Sequence, residues 1–173
     1  MTIASQGNSV DFGGDLTTTR HGGFSASSST RGVFGGGFDL SDRVVTISST
    51  GNATDFGDIA GGYGRQDGIV SSSIRGIIAG GYEPPSHVNT IRFITIATTG
   101  DAQDFGDLNQ DEVYSSGMCS PTRGVFAGGS DPTVSNVIDY ITIQTLGNAL
   151  DFGDITTTGR AQAGGCSNGH GGL

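Results

Sequence analysis

The chain has 173 residues, 32 of them glycine, with no tryptophan and no lysine. Seventeen acidic residues against eight arginines give a formal charge of -9, which repels nucleic acid and anionic membrane surfaces and argues against both as partners. Only two glutamates are present and no window repeats its apolar residues every 3.6 positions, so short strands and tight turns are expected instead of helices.

Taken in chain order, the first element is a Thr-Ile strand followed by SQGNSVDFGGDL, which carries Asp11. The small-residue segment FSASSS comes next, then STRGVFGGG with Arg31 and the pair Gly36 and Gly37, then DRVVTISS, then STGNATDFGDI with Asp55. The same series returns as GIVSSS, SIRGIIAGG (Arg75, Gly80, Gly81), NTIRFITIAT and TTGDAQDFGDL (Asp104). A third pass reads SGMCSP, PTRGVFAGG (Arg123, Gly128, Gly129), NVIDYITIQT and TLGNALDFGDI (Asp151). The marker aspartates are 44, 49 and 47 residues apart. Asp-Phe-Gly would hold magnesium in a protein kinase, but a catalytic loop is needed once per site; four copies mark a building unit.

The β-branched runs bounded by Gly, Asn, Asp and Pro read as strands. Gly-Asn or Gly-Asp before each DFGD segment suits a two-residue hairpin turn, pairing the Thr-Ile strand with the DFGD strand. A Ser/Thr/Pro turn joins the small-residue strand to the Arg-Gly strand, and the double glycines close the latter where the backbone turns sharply or packs closely. The expected order is small-residue strand, Arg-Gly strand, Thr-Ile strand, DFGD strand. Four strands at this repeat length match a propeller blade.

The fold expected is therefore all-β, a small β-propeller of about four four-stranded blades in a single domain spanning residues 1–173. Blades cover about 17–59, 60–108 and 109–155. Residues 1–16 and 156–173 each supply the half-blade that the other lacks, so a composite fourth blade closes the ring without an exposed edge. The alternative is pairing of the halves between neighbouring chains. Met1 leads straight into the first repeat and no run of 18 apolar residues occurs, so neither a secretory leader nor a membrane span is expected.

A strand ending in Gly-Gly, a loop, and a strand such as NVIDYITI resemble the kelch blade. The chain departs from that pattern in lacking the tryptophan after the tyrosine, a packing role left to Phe12, Phe56, Phe105 and Phe152. The phrases SPTRGVFAGG, NVIDYITI, GNALDFGD and SNGHGGL further resemble the kelch-like repeats of structural and tail proteins of marine bacteriophages of the cyanophage type. The resemblance covers almost the whole chain. It implies a virion component assembled in the bacterial host cytoplasm: a tail, fibre or capsid-decorating adhesion module whose partners are other virion proteins, identical subunits or a host surface glycan.

Candidate chemical sites are few. The aspartate pairs of the DFGD segments offer oxygens to calcium, but calcium wants six to eight, and carboxylates accepting backbone N–H bonds at turns are the plainer reading. No cofactor is otherwise expected. Arg31, Arg75 and Arg123 form either a ring of cations for an anion or, more simply, Arg-to-Asp ties between blades. Cys119 and Cys166 stand where Ser27 and Ser71 stand in other copies, as small thiols and not as a disulfide or metal pair. His21 and His87 have no partner at ligand spacing, and no nucleophile, base and orienter occur together, so no enzyme is expected. The connections that differ between copies, FDLSDR, YEPPSHVN, SDPTVSN and the segments joining blades, gather at one end of the blades, as a rigid frame presents binding loops. Phe38, Tyr63, Tyr82 and Tyr114 are the candidate contact residues there. A lectin-like carbohydrate-binding propeller is the alternative function.

Overall fold

A computed structural model describes residues 23–36, 41–46 (backbone only), 51–58, 68–156 and 158–165. Every regular element among them is a strand. The first four are β1 (Gly23–Ser27), β2 (Arg31–Gly36), β3 (Ser41–Thr46) and β4 (Thr54–Asp58), paired antiparallel in that order. The second sheet holds β5 (Gly68–Ser71) and β6 (Arg75–Ala79), followed after a two-stranded insert of β7 (Tyr82–Glu83) and β8 (Ser86–His87) by β9 (Thr90–Thr95) and β10 (Gln103–Asp107). The third comprises β11 (Ser116–Cys119), β12 (Arg123–Ala127), β13 (Val137–Thr142) and β14 (Leu150–Asp154). The chain is thus all-β, built of small antiparallel sheets, and each sheet has the strand order that the turn chemistry predicts.

The first hairpin of each sheet is held by one serine. The amide of Ser28, Ser72 or Ser120 donates to the carbonyl three residues on, at 2.9, 2.9 and 2.8 Å. Its hydroxyl accepts the amide of Arg31, Arg75 or Arg123 in return, at 3.2, 3.0 and 3.0 Å. A serine that satisfies both backbone groups of the turn explains why the repeat keeps it.

The second hairpin departs from expectation. Seven residues separate β9 from β10 and β13 from β14, so Gly-Asp and Gly-Asn are not two-residue turns. They lie along the preceding sheet instead. The Gly100 amide donates to Phe56 O at 2.7 Å and the Ala102 amide to Asp58 O at 2.9 Å. One repeat later the Gly147 amide donates to Phe105 O and that of Ala149 to Asp107 O, both at 2.8 Å. The side chains of Asp101 and Asn148 complete the ladder by accepting the amides of Asp58 and Asp107 at 3.0 and 3.1 Å.

The DFGD segment is a β-bulge. In β10, Asp104 faces Arg92 and Gly106 faces Ile91, which leaves Phe105 as the extra residue; the same shift falls at Phe56 and Phe152. A bulge re-aims a side chain out of the ladder. Phe56 and Phe105 are accordingly buried against the sheet that follows, the former with Ile96 and Ala102, the latter with Ile143 and Ala149. Gly106 has φ +146°, and a Cβ there would stand 2.5 Å from the Gly147 carbonyl, so only glycine lets the two backbones meet.

Two cores result, one between the first and second sheets and one between the second and third. Val33, Ile78, Ile94 and Ile96 belong to the first; Ile77, Ile91, Phe126, Ile141 and Ile143 to the second. β5 runs beside both β1 and β11. There the Ser71 hydroxyl donates to Ser27 O and the Cys119 thiol to Ser71 O, both at 3.3 Å. Serine and cysteine are interchangeable at this position because each is small and carries one donor. Cys166 lies outside the described residues, as do His21, His170, Asp11 and Gly37.

Candidate functional site

The repeated polar residues are consumed by the frame. Arg31 donates through Nη1 to Ile96 O and Ala97 O at 3.2 and 2.7 Å, and Arg75 to Ile143 O at 2.8 Å. Arg31 and Arg75 therefore tie their sheets to the next through main-chain carbonyls in place of the Arg-to-Asp ties expected from sequence, whereas Arg123 stands over the Tyr140 ring of its own sheet. Asp139 and Asp151 also serve the backbone: Asp151 accepts the Gly153 amide at 2.8 Å and Asp139 that of Asn109 at 3.0 Å. Asp104 lies exposed in the bulge of β10, and Asp55 likewise in β4. Among the described residues no three His, Cys, Asp or Glu are grouped so as to hold a metal ion, and no helix is long and apolar enough to cross a membrane.

The double glycines anchor the connections between sheets. Gly80 and Gly128, at φ +76° and +68°, close β6 and β12. Their neighbours Gly81 and Gly129 each donate at 2.8 Å, to Glu112 O and Arg160 O, in the segment leading to the next unit. A Cβ on Gly80 or Gly128 would strike those same carbonyls. Gly36 closes β2 in the same left-handed conformation, φ 73°.

With the frame so fixed, the described variable connections of the second and third sheets meet at one end of those sheets. The insert β7–β8 fills the YEPPSHVN connection, and its Glu83 pairs with Arg92 of β9. His87 Nδ1 lies 2.8 Å from Asp131 Oδ1, joining a connection of the second sheet to one of the third. Val113 and Ser130 exchange backbone bonds, Ser135 accepts from Gln110 at 2.6 Å, and the Gln162 amide donates to Tyr114 O at 3.0 Å. Residues far apart in sequence are thereby assembled into one continuous, hydrogen-bonded surface.

Of the four aromatic candidates, two are described. Tyr82 is half-buried and edge-on to His87, ring centroids 5.7 Å apart. Tyr114, also half-buried, has φ 62°, a left-handed conformation uncommon for a bulky side chain. Phe38 and Tyr63 lie outside the described residues. Val134 adds an apolar side chain, 53% exposed, to the same end.

Beneath this surface is a polar cluster that repeat-based reasoning misses. Glu112, 4% exposed, accepts a bond from Gln110, and Asp139, 3% exposed, accepts from both the amide and the side chain of Asn109. Burial pushes the Glu112 carboxyl up to about 7; bonds with Gln110 and Ser135 oppose the shift and the Asp139 charge adds to it. Its one sequence signal is rarity, since Glu112 is one of only two glutamates in the chain. The Ser115 and Ser116 hydroxyls are buried beside it in sequence with no hydrogen-bond partner among the described residues.

No protein-family model and no curated protein matches the chain.

Proposed function

We propose that the chain is a non-enzymatic module of a bacteriophage particle, a kelch-like propeller of four blades that presents its variable connections to a partner. The observation that carries this reading is the division of labour between residues. Arginines, DFGD bulges and double glycines are spent on sheet-to-sheet bonds, whereas the non-repeating residues gather in one hydrogen-bonded surface that includes Tyr82, Tyr114 and the His87–Asp131 contact. Rigid support beneath variable loops is how binding surfaces are built. The likeness of SPTRGVFAGG, NVIDYITI and GNALDFGD to cyanophage-type repeats supports a virion setting, with assembly in the host cytoplasm and other virion proteins or identical subunits as partners.

The fourth blade in this reading is composite, closed by both ends of the chain. Gly165 supports it: a Cβ there would meet Gly117 O of β11 at 2.5 Å, repeating the approach of Gly117 to Ile69 of β5. In this reading the segment ending at Gly165 begins the strand that would stack on β11.

A lectin-like role is the second reading, favoured by the half-buried tyrosine and histidine rings among polar groups at the variable end. Antibody labelling of native virions in negative stain, paired with a glycan array, tests both. The virion reading expects label on particles, and the lectin reading expects selective glycan retention. Absence of label from intact particles contradicts the first reading.

A further inference from the structure

We infer that the outward face of the third sheet is a docking surface for residues 3–9 of the same chain, recognised through the contacts that already join the other sheets. The inference rests on the closed-ring reading and specifies the residues that close it.

Two described junctions define the recognition. At each, a Gly–Asn/Asp–Ala segment lies along the DFGD bulge of the preceding sheet, with two amides donated to the carbonyls of the bulge Phe and the last Asp, and one side-chain oxygen accepting that Asp's amide. An arginine of the preceding sheet reaches the carbonyl of the isoleucine four residues before the glycine, Ile96 or Ile143. The bulge phenylalanine is then 2% or 3% exposed.

On the third sheet the same groups stand without these partners among the described residues. Phe152, the bulge phenylalanine of β14, is 53% exposed. A Cβ on Gly153 would meet nothing within 4 Å, whereas one on Gly57 or Gly106 would strike the backbone of the next sheet. Arg123 stands over the Tyr140 ring, 4.7 Å from its centroid, with no carbonyl of a following sheet beside it among the described residues. Acceptor strand, glycine gap and arginine are all present.

One further copy of the complementary phrase precedes the first sheet. In TIASQGNS, Gly7, Asn8 and Ser9 align with Gly100, Asp101 and Ala102 and with Gly147, Asn148 and Ala149, and Ile3 aligns with Ile96 and Ile143. Ser9 is one hydroxyl larger than the buried Ala102 and Ala149 with which it aligns. The assignments follow: Gly7 amide to Phe152 O, Ser9 amide to Asp154 O, Asn8 Oδ1 from the Asp154 amide, and Arg123 to Ile3 O. A tethered segment is present at an effective concentration of order millimolar, which favours the chain's own copy over that of a second molecule.

The test is crosslinking in the full chain, with Cys119→Ser and Cys166→Ser as background. Asn8→Cys is combined with Asp154→Cys, and Asn148→Cys with Asp107→Cys gives the matched pair at a described junction, where the same side-chain bond is lost. Both are treated with a short bifunctional maleimide and read by intact mass and denaturing gel. Docking predicts that both pairs gain one linker within a monomer, at comparable yield. Linked dimers from the 8/154 pair would show that a second copy fills the face. Failure of the 8/154 pair to link while 107/148 links would show that the face is not the acceptor, and would leave virion labelling and glycan retention, the tests of function, unaffected.

Discussion

Arg75 of the second sheet donates to the main-chain carbonyl of Ile143 in the third at 2.8 Å, while its guanidinium lies 4.5 Å from the centre of the Phe93 ring. One side chain thus contributes a charge-assisted hydrogen bond across the sheet junction and a cation–π contact within its own sheet. Arg75→Ala is expected to lower unfolding free energy by about 2 kcal/mol in a denaturant titration. Arg75→Lys should recover only part, because a single ammonium does not hold both the carbonyl and the ring face. Equal stability of all three proteins would remove Arg75 from the frame.

Gly76 of β6 has its own partner across the first junction. A Cβ there would stand 2.6 Å from Ala26 Cβ of β1 and 3.1 Å from Ile94. Gly76→Ala should therefore destabilise by about 1–3 kcal/mol through overpacking. Ala26→Gly made in the same molecule should return part of that loss, a coupling that a double-mutant cycle reads directly. Strict additivity would mean that β1 and β6 do not touch.

The buried Glu112 makes stability depend on pH in a defined sense. Its ordinary value is 4.5 and burial, above all, raises it to about 7. Between these values the folded protein keeps a proton that the unfolded chain has released. The associated stability is full below pH 4.5, falls as pH rises through 7, and changes no further above that. The span corresponds to ~3 kcal/mol. Glu112→Gln should remove this slope, so wild type and variant converge at low pH and the variant is the more stable at pH 8. Parallel curves would show that folding does not raise the Glu112 carboxyl.

Alanine at Tyr82 and Tyr114 of the variable end, and at Tyr63 outside the described residues, should weaken adsorption or incorporation into particles. Loss of the Tyr82–His87 edge contact costs at most about 1 kcal/mol, so the melting temperature should change little. A large fall in melting temperature with undiminished binding would identify these tyrosines as packing residues.

The repeat made the strands and their order legible, since Ser28, Ser72 and Ser120 fix the first hairpin from local chemistry alone. The second hairpin misled because Gly-Asn is a good turn signal in isolation. Its amides go to Phe56 and Phe105 of another sheet, a tertiary contact that a local dipeptide does not encode. For the same reason the arginines pointed towards carboxylates, the commonest partner, and reached carbonyls instead. The variable end was visible as a change of composition between copies, but Glu112 was not, because searching for repeats passes over residues that occur once.

A four-bladed propeller requires one chain to close its sheets into a single ring. Small-angle scattering coupled to mass measurement on the purified full chain tests that directly. The closed ring predicts a particle of 17.5 kDa with a radius of gyration of about 16 Å, the compact value for this length. A mass that is a multiple of the monomer, or a monomer with a markedly larger radius, would show that the sheets stay open or close between chains.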